Sequence, residues 1–195
     1  MSNLAGRRMA YAEYLELERS SVGKHEFIDG VAVAMSGGTS NHGRVIAELT
    51  TQVNLALRNS PCAMYPSDVR IRVEATGLAT YPDLSVVCRP RERHPEDPNA
   101  FTNPVLLAEV LSPSTEGYDR GEKFRHYRAI PSLRHYLLVS VTDVAVELFT
   151  RADDGTWVLS TYGPGDTVRI ASLDIAIDVD SLYIDLDEPS DSPSP

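Results

Sequence analysis

Two acidic residues lie where the sequence otherwise predicts buried strands, and they are the strongest candidates for chemistry. Glu109 interrupts the apolar run LLAEVL, and Asp83 follows Pro82 directly before LSVV. An ionised carboxylate that is buried alone costs several kcal/mol, so it usually has a cation or several N–H donors nearby. If the two strands are neighbours, their carboxylates repel each other unless a cation lies between them. A hard divalent ion such as Mg2+ or Mn2+ prefers oxygen ligands and would remove this repulsion.

Each acidic residue also has an ordinary structural explanation. Glu109 could face a solvent-exposed side of the sheet, or it could pair with a buried arginine such as Arg70 or Arg72. Asp83 could be a simple turn residue at the entrance of a strand. For Glu109 the sequence favours neither the metal site nor the structural explanation. For Asp83 taken alone it favours the turn.

A lysine and a tyrosine on the helix predicted after Glu109 could complete a site. Lys123 and Tyr127 are four residues apart, so they share one face of that helix. Phe124 and Ile130 would bury the adjoining face, which would let Lys123 point across the strand ends toward the carboxylates. The alternative for an isolated lysine is an exposed position on a basic helix.

The elements that must position these residues follow from periodicity and turn signals. Helices are predicted over residues 11–19, 41–58 and 119–129, the last with a capping-box-like start at Asp119 and Glu122. Residues 89–104 are predicted to be a polar loop. Extended segments are predicted at 26–35 with a turn at 29–30, and at 69–73, 84–88, 105–111, 136–141, 144–150, 157–162 and 168–171, before a mixed segment at 175–186. This order predicts an α/β or α+β domain with a mixed central sheet flanked by helices, and with an additional antiparallel strand region in the C-terminal half.

Length and composition are those of one ordinary globular domain. We predict a single domain over residues 1–188 and a disordered Pro/Ser-rich tail at 189–195. No apolar stretch approaches the ~18 residues of a membrane helix, and we expect no secretory signal because no apolar run follows the arginines near the start of the sequence. Cys62 and Cys88 predict reduced core thiols in a cytoplasmic protein, although the sequence leaves a disulfide between them open.

The charge distribution bears on nucleic-acid binding. The formal net charge of −10 argues against a general nucleic-acid binder. However, seven acidic residues and no Lys or Arg lie from Asp174 onward, whereas residues 120–135 are basic. The histidines form no zinc pattern, and there is neither a Gly-rich phosphate loop nor a G-x-S-x-G motif.

Several motifs together resemble a known group of proteins. YPDLSVV, LLAEVLSPST, YDRGEKFRHY and LRHYLLVS resemble the PD-(D/E)XK nuclease superfamily and, more narrowly, its Uma-two group of restriction-endonuclease-like proteins. HEFIDGVAVAM and SNHGRVIAEL fit this group too, so the resemblance runs from about Tyr11 to Val141. The spacing of Asp119, Lys123 and Tyr127 is the most specific part of it.

The resemblance implies a restriction-endonuclease-like core and a metal-dependent endonuclease that hydrolyses phosphodiester bonds of DNA. Asp83 matches the Asp of the PD motif, and Glu109 matches the acidic residue of the second half-motif. The implied cofactor is Mg2+ or Mn2+, held by these two residues with the Val110 backbone carbonyl as a further ligand. Leu111 stands where the superfamily has its lysine, and Lys123 matches the helix position that carries the lysine in the Uma-two group.

The remaining assignments are also implied by this resemblance. Glu26 matches the acidic residue of an E-x-I-D-G motif and would complete the surroundings of the metal. His42 matches a recurrent histidine at the start of the long helix. Contacts with the substrate are predicted for His42, Arg120, Arg125, Tyr127 and Arg128. A homodimer paired through the strands at 136–162 is expected, because a double-strand cutter needs two sites.

Two other functions are consistent with the sequence. The acidic net charge and Leu111 favour a non-catalytic nucleic-acid-binding or assembly module of the same fold. An enzyme acting on another phosphate ester could use the same metal site. The joint presence of Glu26, Asp83, Glu109 and Lys123 favours the nuclease.

Overall fold

A computed structural model describes residues 7–187 of the chain. Its helices are α1 (Tyr11–Ser20), α2 (Ser40–Ala56) and α3 (residues 116–127), with 3₁₀ turns at Ala171–Leu173 and Asp180–Tyr183. Its strands are β1 (His25–Ile28), β2 (Val31–Ala34), β3 (Cys62–Pro66), β4 (Arg70–Val73), β5 (Leu78–Thr80), β6 (Leu84–Cys88), β7 (Arg93–His94), β8 (Asp97–Phe101), β9 (Pro104–Leu111), β10 (His135–Ser140), β11 (Val146–Arg151), β12 (Trp157–Tyr162), β13 (Thr167–Ile170) and β14 (Ile175–Asp178).

The strands form two six-stranded sheets and a hairpin. The first sheet has the order β2-β1-β5-β4-β8-β7, and the second has the order β12-β11-β10-β9-β6-β3. Both are mixed, because β4 pairs with β8 and β9 pairs with β10 in parallel, whereas the other pairs are antiparallel. β13 and β14 form the separate hairpin. The predicted mixed α+β fold is confirmed.

Apolar residues on opposite faces of the second sheet build two different cores. On one face, Leu106, Ala108 and Val110 pack with α2 and the β13–β14 hairpin. On the other face, Leu107 and Leu111 pack with α3 and with residues of the first sheet. Side chains alternate between the faces of a strand, so β9, buried on both sides, reads as a continuous apolar run. The second sheet therefore lies between α2 on one side and α3 with the first sheet on the other.

Several predicted elements are found close to their expected places. The helices at residues 11–19 and 41–58 are present as α1 and α2. Asp29 and Gly30 both have positive φ angles, +49° and +84°, as a tight turn between β1 and β2 requires. The predicted antiparallel strands at 144–150 and 157–162 are β11 and β12, which extend the second sheet. β12 lies at the edge of that sheet, and Val158 is exposed on it. The homodimer predicted through these strands stays a prediction.

Three parts of the secondary-structure prediction are wrong. The predicted loop at 89–104 contains β7 and β8, and β3 and β5 were not predicted. The third helix begins at Glu116 rather than at Asp119, whose φ and ψ of −63° and −42° are helical. Asp119 is therefore not a cap, and its side chain is free to act elsewhere. The predicted single domain at 1–188 and the tail at 189–195 extend beyond the described residues.

The two cysteines correct another prediction. Cys62 and Cys88 lie directly opposite each other on β3 and β6 and form a disulfide bond. The prediction of reduced thiols is therefore contradicted, because this antiparallel register brings the two side chains together. The cytoplasmic location inferred from reduced cysteines loses that support. Among residues 7–187, no helix is both long and apolar enough to cross a membrane.

Candidate active site

The candidate site lies where the chain crosses from the first sheet to the second. β5 ends at Thr80 in the first sheet, and β6 begins at Leu84 in the second. Asp83 is therefore the last residue before a central strand, and its carboxylate accepts a hydrogen bond of 2.8 Å from the backbone N–H of Val110 on neighbouring β9. This bond ties the PD segment to the strand that carries Glu109.

Glu109 is buried, and the alternation of β9 explains its position. Its neighbours Ala108 and Val110 face the α2 side, so Glu109 points to the α3 side with only 4% of its surface exposed. The Tyr127 hydroxyl donates a 2.8 Å hydrogen bond to Oε1 of Glu109, and Nζ of Lys123 lies 2.9 Å from the same oxygen. Glu109 thus neither faces solvent nor pairs with an arginine. Arg70 instead binds Asp97.

The ammonium of Lys123 lies among three carboxylates from three different elements. Besides Glu109 on β9, its Nζ is 3.3 Å from Oε1 of Glu26 on β1 and 3.4 Å from Oδ1 of Asp119 on α3. Lys123 is only 5% exposed, so the exposed-lysine explanation is wrong. Asp119 and Lys123 bound a π-helical turn within α3. Such turns occur often at functional sites.

His42 approaches Asp83 from the start of α2. Thr39 caps α2 by accepting a hydrogen bond from the backbone N–H of His42, which fixes this residue in the first turn. The imidazole Nε2 lies 2.9 Å from the Val110 carbonyl oxygen and 3.6 Å from Oδ2 of Asp83. Because a carbonyl oxygen can only accept, Nε2 carries the proton in this contact.

The carboxyl groups, Lys123, His42 and Val110 described above line one cavity of about 540 Å³. Its ionisable lining residues are Glu26, His42, Asp83, Glu109, Asp119, Lys123 and Tyr118, with Tyr81. The rest of its wall comes from Ile28, Val110, residues 33–39 and the loop at 112–115. The structure thus brings together Glu26, Asp83, Glu109, Lys123, the Val110 carbonyl and His42, which lie on five separate segments of the sequence.

Burial and an excess of negative charge shift the pKa values of the central groups. Burial raises the pKa of Glu109 to about 8, with Lys123 opposing the shift and the charge of Asp83 adding to it. Burial also raises the pKa of Asp83, although the Val110 N–H opposes this. Burial by itself would lower the pKa of Lys123, but the surrounding negative groups, Glu109 foremost, raise it well above its ordinary value. The Lys123 side chain is therefore an ammonium ion at neutral pH.

Whether the cavity could hold a metal ion depends on whether backbone oxygens are counted as ligands together with side chains. Among residues 7–187, no group of three or more His, Cys, Asp or Glu side chains could hold a metal ion. Lys123 lies within 3.4 Å of Glu26, Glu109 and Asp119. The potential metal ligands near Asp83 are not all side chains, because the Val110 backbone oxygen is one of them. Four carboxyl groups face the cavity against one ammonium group. This charge excess and these oxygen donors fit a hard divalent cation.

Four of the predicted substrate contacts lie away from the cavity wall. Tyr127 is fully buried behind Glu109, so its position suits holding that carboxylate. Arg120 pairs with Glu116 and Glu147. Arg125 pairs with Glu122, and Arg128 lies over the ring of Phe124. Their contacts with DNA stay predictions, and within the described chain Lys123 is the only Lys or Arg that lines the cavity.

Asp119, Thr80 and Tyr118 were not predicted as site residues. Asp119, read as a helix cap, is 3% exposed and paired with Lys123. Its spacing of four residues from Lys123 was the available signal. The Thr80 hydroxyl donates a hydrogen bond to Oε1 of Glu26. The hydroxyl of Tyr118 is buried in the cavity wall without a hydrogen-bond partner among residues 7–187. Nothing in the local sequence distinguished Thr80 or Tyr118.

A solved structure has the same class of fold. It comes from Anabaena variabilis ATCC 29413 and is described as "a putative nuclease belonging to DUF820". The two structures align with a TM-score of 0.71 and 17% sequence identity, over 88% of this chain and 96% of that one. The protein therefore has a nuclease-like fold.

Sequence comparison gives the family. The Uma2 family, described as "Putative restriction endonuclease", matches residues 11–180, and the chain belongs to this family. Similar proteins in Synechocystis sp. are "Uncharacterized protein slr1290", 40% identical over 90% of this chain and 92% of that protein, and "Uncharacterized protein sll1609", 34% identical over 76% and 84%. The resemblance inferred from the motifs is confirmed.

Proposed function

We propose that the protein is a metal-dependent endonuclease that hydrolyses phosphodiester bonds of DNA. The observation that carries this proposal is the convergence of Glu26, Asp83, Glu109 and Lys123 on one cavity. A buried cluster that serves only stability gains little from such an arrangement, since apolar residues of similar volume are often as stable. Perturbed pKa values in a cleft are typical of functional sites.

Asp83, Glu109 and the Val110 carbonyl are the groups that would hold Mg2+ or Mn2+. When bound, such an ion would lower the pKa of a water molecule and polarise the phosphate. Lys123 is protonated, so it would stabilise negative charge that develops on the phosphate rather than remove a proton. Glu26 and Asp119 hold its ammonium in place, and the Tyr127 hydroxyl fixes the orientation of Glu109.

The test is to measure metal binding and plasmid cleavage on the same preparations. The wild-type protein should bind Mn2+ or Mg2+ in calorimetry and nick plasmid DNA when the metal is added. Asp83→Asn and Glu109→Gln should lose metal binding and slow cleavage at least about 10²-fold, because each removes a negative oxygen ligand. Asp153→Asn, which changes an exposed residue of the β11–β12 turn, is the matched control and should behave like wild type.

The possible results separate the three functions. Metal binding without cleavage of any nucleic acid would favour an enzyme acting on another phosphate ester. Absence of metal binding in the folded wild-type protein would favour a non-catalytic module. Cleavage that survives in Asp83→Asn would contradict the assigned site.

The unpartnered hydroxyl of Tyr118 gives a separate prediction. A buried donor without a partner is rare in folded proteins, so a substrate oxygen or a water molecule is its expected partner. Tyr118→Phe should slow cleavage by up to about tenfold, the equivalent of one hydrogen bond, without loss of stability. Tyr65→Phe on β3, outside the cavity wall, is the control for both measurements. Equal cleavage rates for the two variants would exclude this role.

A further inference from the structure

Tyr81 lines the cavity, yet its hydroxyl is bound by two residues that do not. The hydroxyl donates a hydrogen bond to Oε2 of Glu18 on α1 and accepts one from Nη1 of Arg70 on β4. Burial raises the pKa of Tyr81 to about 12, so the hydroxyl keeps its proton at neutral pH. Tyr81 therefore connects the cavity wall to a polar network outside the cavity.

The partners of this hydroxyl are themselves held in place. Arg70 binds Asp97 through two hydrogen bonds, of 2.6 Å from Nε to Oδ2 and of 2.7 Å from Nη2 to Oδ1. A paired contact of this kind sets the orientation of the guanidinium as well as its position. The Tyr11 hydroxyl donates a further bond of 2.9 Å to Asp97. The side chains of Glu18, Arg70 and Asp97 are at most 11% exposed, so these bonds form away from bulk water, where they are stronger.

A stiff piece of backbone joins Tyr81 to the carboxylate of Asp83. Pro82 lies between them, and its ring holds φ at about −65°. The residue before a proline is also restricted to extended conformations. A shift of Tyr81 is therefore passed on to Asp83, because the backbone between them cannot absorb it. The 2.8 Å hydrogen bond from the Val110 backbone N–H to Oδ2 of Asp83 would lengthen as a result.

Glu18 also binds the segment that carries Glu26. Its Oε1 accepts a hydrogen bond of 3.0 Å from the backbone N–H of His25 and lies 2.9 Å from Nδ1 of the same residue. His25 directly precedes Glu26 on β1. One carboxylate on α1 therefore binds next to two separate segments that each supply an acidic residue to the cavity.

We propose that Tyr81 is a positioning residue for Asp83, with its hydroxyl held by Glu18 and Arg70. This inference rests on the proposed function, in which Asp83 takes part in hydrolysis. Without the hydroxyl, Glu18 and Arg70 can still pair directly, because Nη1 of Arg70 lies 3.7 Å from Oε2 of Glu18. Loss of the hydroxyl thus releases Tyr81 and keeps the rest of the network. A misplacement of about 1 Å can slow a reaction about 100-fold, so a small shift of Asp83 has a measurable effect.

The test compares Tyr81→Phe with Tyr11→Phe in the full chain. Each variant removes one tyrosine hydroxyl from the same network, so both should lower the midpoint of urea unfolding. Only Tyr81 is joined to Asp83, and phenylalanine keeps the aromatic ring in the cavity wall. Steady-state nicking of plasmid DNA with added Mg2+ gives kcat and KM. The ¹H–¹⁵N resonance of the Val110 amide reports its hydrogen bond to Asp83 and needs no activity.

In Tyr81→Phe we expect kcat to fall at least about tenfold, because Asp83 is displaced. KM should change by less than about twofold, which is the pattern for an interaction made in the transition state only. The amide proton of Val110 should move upfield as its hydrogen bond lengthens. Tyr11→Phe should keep the wild-type kcat and the wild-type Val110 resonance.

The two readouts separate failure of this inference from failure of the proposed function. An unchanged Val110 resonance in Tyr81→Phe, or equal changes in Tyr11→Phe, would overturn the positioning role of Tyr81. A wild-type protein that cuts no DNA would overturn the proposed function instead. In that case a Val110 shift confined to Tyr81→Phe would still support the positioning of Asp83 by Tyr81.

Discussion

Replacing Lys123 with methionine should destabilise the metal-free protein by about 3–5 kcal/mol. Methionine has a similar length, so the change mainly removes the ammonium that Glu26, Glu109 and Asp119 share. Removal of one partner from a buried ion pair is costly, because the remaining charge has no compensation. Part of the cost would be recovered at low pH, where the carboxylates take up protons. Urea unfolding in the presence of a chelator measures the free energy of unfolding directly.

Lys24→Met is the matched control for this prediction. Lys24 pairs with Asp68, but its side chain is 39% exposed and that of Asp68 is 77% exposed. An exposed pair of this kind contributes at most about 1 kcal/mol. If Lys123→Met cost no more than Lys24→Met, the carboxylate cluster would not depend on the ammonium. The electrostatic description of the site would then be wrong.

Local sequence patterns predicted much of the secondary structure. Tyr11–Ser20 and Ser40–Ala56 form helices because their apolar residues recur at the helical period, and Asp29-Gly30 forms a turn because both residues accept positive φ. β7 is only two residues long and β5 only three, too short for alternation to be visible. The segment that contains β7 and β8 has a polar sequence and was therefore predicted as a loop. It is extended because β8 pairs with β4, which is distant in sequence. Local sequence cannot report such pairing.

The site shows a similar division between residue identity and position. Glu109 could be singled out because a carboxylate in an apolar run needs a partner. The sequence left that partner open, and in the structure Lys123 lies 2.9 Å from it. Asp119 was missed because its place before Glu122 imitates a helix cap, while the true helix starts one turn earlier. The roles of Arg120, Arg125 and Arg128 depend on which side of α3 faces the cavity. These arginines are exposed or paired with other residues. A basic stretch of sequence therefore does not show which way its side chains point.

In the metal-free protein, stability should fall as the pH rises from about 6.5 to 8. The pKa of Glu109 is raised by burial from the ordinary 4.5 to about 8, so the folded state keeps a proton that the unfolded state has already released. The folded state therefore binds more protons in this range, and the free energy of unfolding decreases with pH. Each pH unit corresponds to about 1.4 kcal/mol, so the expected loss over this window is about 2 kcal/mol.

The window is chosen to exclude a second titrating group. Burial lowers the pKa of His135 to about 4, which makes stability rise with pH, but this contribution is complete near the ordinary value of 6.5. Glu109→Gln has no proton to lose, and its amide oxygen can still accept a hydrogen bond from the Tyr127 hydroxyl, so its stability should be nearly flat between pH 6.5 and 8. Glu122→Gln, at an exposed position on α3, should keep the wild-type slope. If the stability of the wild type and of Glu109→Gln changed equally with pH, Glu109 would already be ionised at pH 6.5 in the folded protein. Its carboxylate would then be stable as an anion without a bound metal ion.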